Sequence, residues 1–351
     1  MKDMLLIIDG AAMLTTAYYG TLPSEIKFNK NHEEDYLYYD KILHSKSGYY
    51  TNGIFSFMNR LDKILKMQQP SHIAITFDLT RDTFRRKLYP AYKANRKETP
   101  EPLKQQRALL PKMLMEMGIT CFACNDFEGD DLIGSLTEKF RGQIPVRILA
   151  NDHDMMQLVK PNVQLWMTMM SQDKADMMYL DYTQGSNSVS LHSFGLPDAV
   201  FPFGRESIKW DMGVYPEQIT DLKGLSGDSS DNIPGVKGIS DKTAAILLSE
   251  YGTVENLFDV VEKTDADTLK QEWKNKLGFR VSPVNKLKAP DAKEKALLSK
   301  KLATIITDLQ FPVTLDTLAC NINTEVKNKW YKELDFYSLL DNRNMQYDSF
   351  I

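Results

Sequence analysis

Four short apolar runs, each followed within a few residues by acid, constrain this chain more than any other feature. Met4–Ile8 leads into Asp9 and Ile73–Phe77 into Asp78; Ile119–Cys124 precedes Glu128, Asp130 and Asp131, and Val146–Ala150 precedes Asp152 and Asp154. The runs are unbroken rather than alternating, the pattern of strands covered on both faces in a parallel sheet. Helical periodicity separates them, over Ile54–Met67 after an Asn52-Gly53 turn and over Leu103–Met117 after Pro100 and Pro102. Such alternation predicts a doubly wound, mostly parallel α/β sheet.

In an open parallel sheet, ligands bind beyond the carboxyl ends of the strands. Seven carboxylates would therefore converge on one edge, where like charges repel and raise one another's pKa. Divalent cations relieve that repulsion, and oxygen ligands of this kind suit Mg²⁺ or Mn²⁺. Two such ions roughly 4 Å apart can activate water and stabilise the leaving oxygen of a phosphodiester. Capping of helix N-termini accounts for Glu128, Asp130 or Asp131 taken singly, but not for four strand ends at once. His153 reads as a spacer and Asp126 as a turn residue.

Charge supplies the second signal. The 351 residues are 42% hydrophobic and 26% charged, with a net charge of -4, so no global basic excess announces a polyanionic partner. Residues 81–112 nevertheless hold ten basic side chains against three acidic ones, starting just after Asp78. A strand of nucleic acid between the two would meet cations on one side and metal ions on the other. Tyr89 and Tyr92 interleave with these cations and could stack on bases; a solvated charged helix is the plainer alternative. Three cysteines exclude a disulfide framework, and Cys121-Phe122-Ala123-Cys124, with no second pair for zinc, reads as core. Met167–Met170 reads as packing. No apolar run approaches a membrane span, and the start is too short for a signal peptide, so a cytoplasmic protein is expected.

From Gln172 to Trp210 the chain is rich in Gly, Ser and Pro and reads as an elaborated loop or small hairpin. Helices dominate from Pro216, which places a boundary near residues 195–215 and divides the chain into 1–200 and 201–351. Residues 264–298, polar and Lys-rich, read as a solvated helix pair. Asp228 and Asp231, three apart, could share one side of a helical turn. Gly235-Val236-Lys237-Gly238-Ile239-Ser240-Asp241-Lys242-Thr243-Ala244 reads as a glycine turn entering a helix N-terminus, a place where backbone N–H groups can hold phosphate.

Taken together, Asp9-Gly10, Phe77-Asp78, Thr83-Phe84-Arg85, Tyr92-Lys93, Arg96, Glu128-Gly129-Asp130-Asp131, Asp152-His153-Asp154 and Gly227–Val236 resemble the 5′-nuclease superfamily. That superfamily comprises flap endonucleases and the 5′→3′ exonuclease domain of bacterial DNA polymerase I with its free-standing counterparts. The resemblance covers most of the chain, and with no polymerase segment following, the free-standing form is expected. It implies a helical arch over about 80–115 and a helix-three-turn-helix over about 220–250. It also implies a first metal site from Asp78, Glu128, Asp130 and Asp131 with Asp9 nearby, and a second from Asp152, Asp154, Asp228 and Asp231. Asp130, Lys93 and Arg96 would be catalytic, the latter two at the scissile phosphate. DNA contacts would come from Arg81, Arg85, Arg86, Tyr92, Lys93 and Arg96, and from Gly235, Lys237, Gly238, Ser240, Lys242 and Thr243. Mg²⁺ or Mn²⁺ is the implied cofactor, with K⁺ on carbonyls of the glycine turn. Water activated between the ions would attack the phosphodiester, leaving 5′-phosphate and 3′-hydroxyl ends. The expected partner is flapped, nicked or branched DNA, or an RNA–DNA hybrid, bound by a monomer in a bacterial or phage-infected cell. Leu302–Ile305 resembles the family's C-terminal helix.

Two departures stand out. Thr15 and Thr16 fall where the family carries an aromatic and a basic residue, which bears on one phosphate contact implied by the resemblance and not on the metal ligands. Ser24–Tyr50, with Tyr36, Tyr38, Tyr39, Tyr49 and Tyr50, is an insertion read as a surface hairpin, and Gln172–Trp210 is a second insertion. Two other readings remain open: a structure-specific DNA-binding protein that does not cut, and an aspartyl phosphatase, disfavoured because Asp9-Gly10-Ala11 lacks a second aspartate.

Overall fold

The computed structural model describes residues 2–185 and 190–340. A six-stranded sheet runs in the order β3-β2-β1-β4-β5-β6. Its strands are β1 (Lys2–Asp9), β2 (Pro70–Thr76), β3 (Thr120–Phe122), β4 (Val146–Ala150), β5 (Val163–Thr168) and β6 (Val200–Phe203). The first five are parallel, and β6 closes one edge antiparallel to β5. The chain fills one side of β1 with β2 and β3, then returns to the other with β4 and β5. That reversal beside β1 is the switch point at which open α/β sheets form their crevice.

The apolar runs serve both faces. Leu5 and Ile7 join Ile133, Leu136 and Ile148 on one side, while Leu6 and Ile8 join Phe57, Leu61 and Met113 on the other. No position on β1 from Met4 onward is exposed, and this two-sided burial explains the absence of polar alternation. The first cluster continues without a break into Leu222, Leu225, Leu247 and Leu248 of the C-terminal helices and Val236 of the turn between them. Those helices are Ile219–Ser226, Asp241–Tyr251, Val254–Lys263, Ala266–Leu277 and Ala292–Ala303. Thr324–Glu333 then returns to cover the opposite face with Trp330 and Tyr331.

Several sequence expectations are corrected. Ile119–Cys124 shrinks to three residues because only Thr120–Phe122 pair with β2. Ser24–Tyr50 is not a hairpin but a single α-helical turn, Ser24–Lys27, and a ten-residue 3-10 helix, His32–Lys41, followed by a single bridge from His44 to Tyr50. Glu33, Glu34 and Asp35 in the first turn of the latter favour its helical dipole. Gln172–Trp210 is neither a loop nor a small hairpin: it holds the Gln172–Tyr182 helix, the short turn Leu191–Phe194 between Ser190 and Gly195, β6, and most of the Arg205–Met212 helix, whose N-cap is Gly204. Residues 186–189 within that insertion, and 341–351 at the end of the helical part, lie outside the described residues. Residues 264–298 hold more than a solvated pair, since Trp273 is buried and donates to the Tyr251 hydroxyl at 2.7 Å. The helix ends at Ala303, leaving Thr304 and Ile305 outside it. Met170 is 96% exposed, so the methionine run packs only in part. Cys121 is free and partly buried in β3, and burial pushes its thiol up to about 12. No helix among the described residues is long and apolar enough to cross a membrane.

Candidate active site

The acids lie where the strands end. Asp9 closes β1 and its Oδ1 accepts from Ala12 N at 2.8 Å, capping the Gly10–Gly20 helix. Asp78, just past β2, accepts from Gly129 N at 2.8 Å through Oδ1. Asp152, past β4, accepts from Asp154 N at 2.8 Å, again through Oδ1. Capping is therefore real, but it uses one oxygen of each carboxylate. The Oδ2 atoms of these three have no hydrogen-bond partner among the described residues and remain available as ligands.

Asp130 is different. Its carboxylate has neither a cap nor an ion pair among the described residues. Burial holds its pKa well above the carboxylate range, Asp152, Asp9 and Asp78 push the same way, and Lys93 opposes them. Asp9 is likewise raised to about 7, by burial first, against its bond from Ala12, with Asp78 and Asp152 adding to the rise. Four acids from four separate stretches of sequence thus share one crevice floor.

The other acids are held by cations. Lys93 Nζ lies 2.7 Å from Glu128 Oε2 and 3.5 Å from Asp231 Oδ2, and Arg96 Nη2 lies 2.5 Å from Asp231 Oδ1. Burial works against the Lys93 ammonium, but Glu128, Tyr92, Asp231 and Asp130 together hold its pKa above the usual lysine range. Lys93 reaches this position from a left-handed backbone (φ 52°), the kind of strain that surrounding structure must impose. Here Lys93 N bonds Asp231 O at 2.9 Å, Asn95 Nδ2 bonds Ser229 O at 2.9 Å and Asn232 Nδ2 bonds Ala91 O at 2.7 Å. The basic segment is thereby stapled to the Asp228–Ile233 loop. That loop closes where Gly235 (φ 58°) passes against Gly227 (φ 77°), with no room for a side chain at either position.

Lys223 holds a third group. Its ammonium bonds Asp228 Oδ2 and lies 3.1 Å from Asp154 Oδ1, an atom that receives no well-directed hydrogen bond. Burial and Asp152 raise Asp154 to about 7, with Lys223 opposing. Burial also acts to raise Asp228, but Lys223 and Ser230 hold it down to about 2. Asp228 and Asp231 do not share one side of a helical turn: the first turns to Lys223 and the second to Lys93, Arg96 and Glu128. As the side chains stand, no three acidic, histidine or cysteine groups among the described residues close around a single point. The donor set still fits hard divalent ions: all oxygen, with uncapped Oδ2 atoms and an Asp130 carboxylate that makes no hydrogen bond or ion pair among the described residues.

Three expected site residues, Arg85, Asp131 and Tyr92, are turned inward. Arg85 is 2% exposed and grips Asp131, fully buried, with Nη1 and Nη2 at 2.7 Å from its two oxygens. It also donates to the carbonyls of Leu302 and Thr304 at 2.8 Å. Asp131 further accepts from Glu128 N at 3.0 Å and Ile306 N at 2.9 Å, leaving it no face toward the crevice. The pair is a buried clamp, so Arg85 offers no surface contact. Tyr92 is also buried: its hydroxyl donates to Glu128 at 3.0 Å and its ring cannot stack on a base.

Two family models match the chain: residues 4–184 match the N-terminal resolvase-like domain of 5′-3′ exonucleases, and residues 214–325 their C-terminal SAM fold. The chain belongs to the 5′-3′ exonuclease family. The DNA polymerase I of Bacillus caldotenax is 32% identical over 343 residues, 97% of this chain and 32% of that polymerase. The Bacillus subtilis DNA polymerase I is 31% identical over 302 residues, 86% of this chain and 30% of the polymerase. The chain therefore spans about a third of the length of the curated relatives it matches. T5 5′-exonuclease with bound zinc superposes with a TM-score of 0.54 at 16% identity, covering 95% of this chain and 98% of that one. The catalytic core of Rad2 in complex with DNA substrate does so with 0.54 at 16%, covering 95% and 89%. At such identities the likeness is one of fold.

In this exonuclease-family chain two clefts open onto the carboxylate floor. One, of about 660 Å³, is lined by Asp78, Glu128, Lys93 and Arg96 with Arg81 and Arg86. The other, of about 700 Å³, is lined by Asp152, Lys223, Asp228 and Ser240. The expected arch consists of a short helix, Phe84–Leu88, an irregular stretch, and the long helix Glu101–Glu116. In the glycine turn, Lys237, Gly238, Ser240 and Lys242 are exposed and Thr243 is half-buried, but Gly235 is buried and its N–H is taken by Ser299 Oγ at 2.9 Å. Ser240 instead caps the following helix at Thr243 N. Among the carbonyls of the turn where K⁺ is expected, that of Gly238 already accepts from Lys286 Nζ at 2.7 Å. Sequence reasoning passed over Lys223, although a cation five residues before Asp228 on a helix end was a usable signal.

Proposed function

We propose that this chain is a divalent-metal-dependent 5′→3′ exonuclease and flap endonuclease, hydrolysing phosphodiester bonds of 5′-ended or branched DNA, or of an RNA–DNA hybrid, in replication or repair within a bacterial or phage-infected cytoplasm. The observation that carries this reading is the buried Asp130 carboxylate, which makes no hydrogen bond or ion pair among the described residues and feels the charges of Asp152, Asp9 and Asp78 against that of Lys93. When bound, Mg²⁺ or Mn²⁺ would supply an activated water and neutralise charge at the leaving oxygen. Asp9, Asp78, Asp130 and Asp152 would hold it, with Glu128, Asp231, Asp154 and Asp228 joining once their cations move.

The chain's own cations would then change partners. Lys93 and Arg96, freed from Glu128 and Asp231, stand at the wall of the arch-side cleft and would hold the scissile phosphate against the floor. Lys237, Gly238, Ser240, Lys242 and Thr243 would grip the duplex backbone without reading sequence. Lys286 on Gly238 supplies a tethered positive charge where K⁺ is expected. A monomer suffices, since both clefts are formed within one chain.

The ion pairs at Lys93, Arg96 and Lys223 equally suit a protein that binds branched DNA without cutting it. A 5′-labelled flap and a nicked duplex, incubated with Mg²⁺ or EDTA, separate the two. The wild-type chain is expected to cut with Mg²⁺ only, and Asp130→Asn to bind without cutting. Undiminished cutting by Asp130→Asn, or none by the wild type, would refute the proposal.

A further inference from the structure

The glycine turn carries a cation of its own where the resemblance implies K⁺. Gly238 sits there in the left-handed region (φ 82°), and its carbonyl accepts from Lys286 Nζ at 2.7 Å. A Cβ at position 238 would come within 3.2 Å of Lys286 Cε and Nζ, so any residue but glycine would strain the backbone and press on the lysine. Lys286 stands on one helical turn, Val284–Leu287, whose Val284 and Leu287 are buried in the same apolar cluster as Val236 and Ile239. Packing beneath the surface thus fixes both partners of the bond. Lys288, two residues on, turns away and donates to Thr264 O at 2.7 Å.

Gly238 and Lys286 are both exposed, so the bond lies at the surface. No carboxylate pairs with Lys286 among the described residues, whereas Lys270, Lys276, Lys293 and Lys300 on the surrounding helices each pair with one. An ammonium has three N–H donors, and with one spent on Gly238 the others are open to phosphate oxygens. A K⁺ ion on the same carbonyl would sit against that ammonium, and like charges at such range repel. The carbonyls of Val236 and Ser240 also already accept, from Ile239 N at 3.0 Å and Ala244 N at 2.8 Å. The residues present suit a resident ammonium and not a bound K⁺. We propose that Lys286 takes the place of K⁺ at this turn: its ammonium, held by the Gly238 carbonyl, contacts a backbone phosphate of the duplex, and duplex binding is indifferent to which monovalent cation is present. The inference rests on the nuclease reading above and deepens it by one binding residue.

The test measures binding of a nicked duplex to the full chain in EDTA, where nothing is cut, at equal ionic strength of potassium, sodium or choline chloride. Counterion release is common to the three salts, so wild-type affinities are expected to agree within about twofold. Lys286→Met is expected to weaken binding about tenfold, the scale of one charge-assisted contact. It should also lower the slope of log affinity against log salt concentration by about one, a change that a merely structural role would not produce. Lys286→Arg keeps the charge and should keep the wild-type slope. The comparison of salts uses wild-type protein alone, so it decides the point even if Lys286→Met loses its fold. Wild-type binding about tenfold tighter in potassium than in choline, or a folded Lys286→Met variant with wild-type affinity and slope, would overturn the assignment while leaving the nuclease reading intact. Wild-type failure to bind nicked duplex in any of the salts would refute both.

Discussion

Replacing Arg85 by Met distinguishes a buried clamp from a surface contact with DNA. The side chain makes four hydrogen bonds of 2.7–2.8 Å, two to Asp131 and two to the carbonyls of Leu302 and Thr304. Methionine preserves much of the volume but leaves the Asp131 carboxylate buried with only two backbone donors, and leaves both carbonyls unmet. Removing one partner of a buried pair costs about 3–5 kcal/mol. With an unfolding entropy of about 2.1 cal/mol/K per residue over 351 residues, that corresponds to a fall in melting temperature of roughly 4–7 °C. Asp131 anchors the first turn of the helix that carries Glu128 and Asp130, so cleavage should fall as well. The assay is urea unfolding with parallel binding of nicked duplex in EDTA. Arg85→Met together with Asp131→Asn should lose less stability than the sum of the two single changes, because either one already breaks the pair. A variant of wild-type stability that binds DNA less tightly would refute the clamp and return Arg85 to the surface.

Three other outcomes follow from the charges. Asp9 and Asp154 have folded pKa values raised to about 7, so in EDTA the folded state holds more protons than the unfolded chain between about pH 4 and 7, and stability should fall as pH rises through that window. Asp228, lowered to about 2, acts oppositely, its contribution vanishing only as pH falls from about 4 to 2; melting temperatures in EDTA that rise from pH 5 to 7.5 would contradict this. Lys223→Met should lower the melting temperature in EDTA, where Asp154 and Asp228 lose their shared ammonium, by an amount that shrinks in Mn²⁺; an equal drop in both conditions would make Lys223 a packing residue only. DNA binding should weaken steeply between low and moderate salt, and a flat response would show that the basic stretch 81–112 does not meet the backbone.

The parts of the fold legible in sequence are those where local pattern and global environment coincide. β1, β2 and β4 are buried on both faces, and continuous apolar runs require that burial. β5 was missed because Gln164 interrupts its apolar run, and β6 because it is four residues long and contains Pro202. An antiparallel edge strand tolerates that proline where a central one does not. In the site, the strand-end position of Asp9, Asp78, Asp130 and Asp152 was readable, since topology alone brings them together. The side-chain directions of Asp131, Arg85, Tyr92 and Asp231 were not. They depend on partners from 36 to 219 residues away, including two carbonyls at the end of Ala292–Ala303, and no local spacing encodes such pairings.

In the proposed nuclease, paired divalent ions would gather acids that, without them, cap helices or pair with lysine and arginine. Mn²⁺ binding, followed by electron paramagnetic resonance on the full chain without DNA, tests this directly. Two bound ions are predicted for the wild type, with Asp130→Asn losing at least one while keeping its fold. Wild-type protein that takes up no Mn²⁺, or an Asp130→Asn variant that binds as many ions as the wild type, would contradict it.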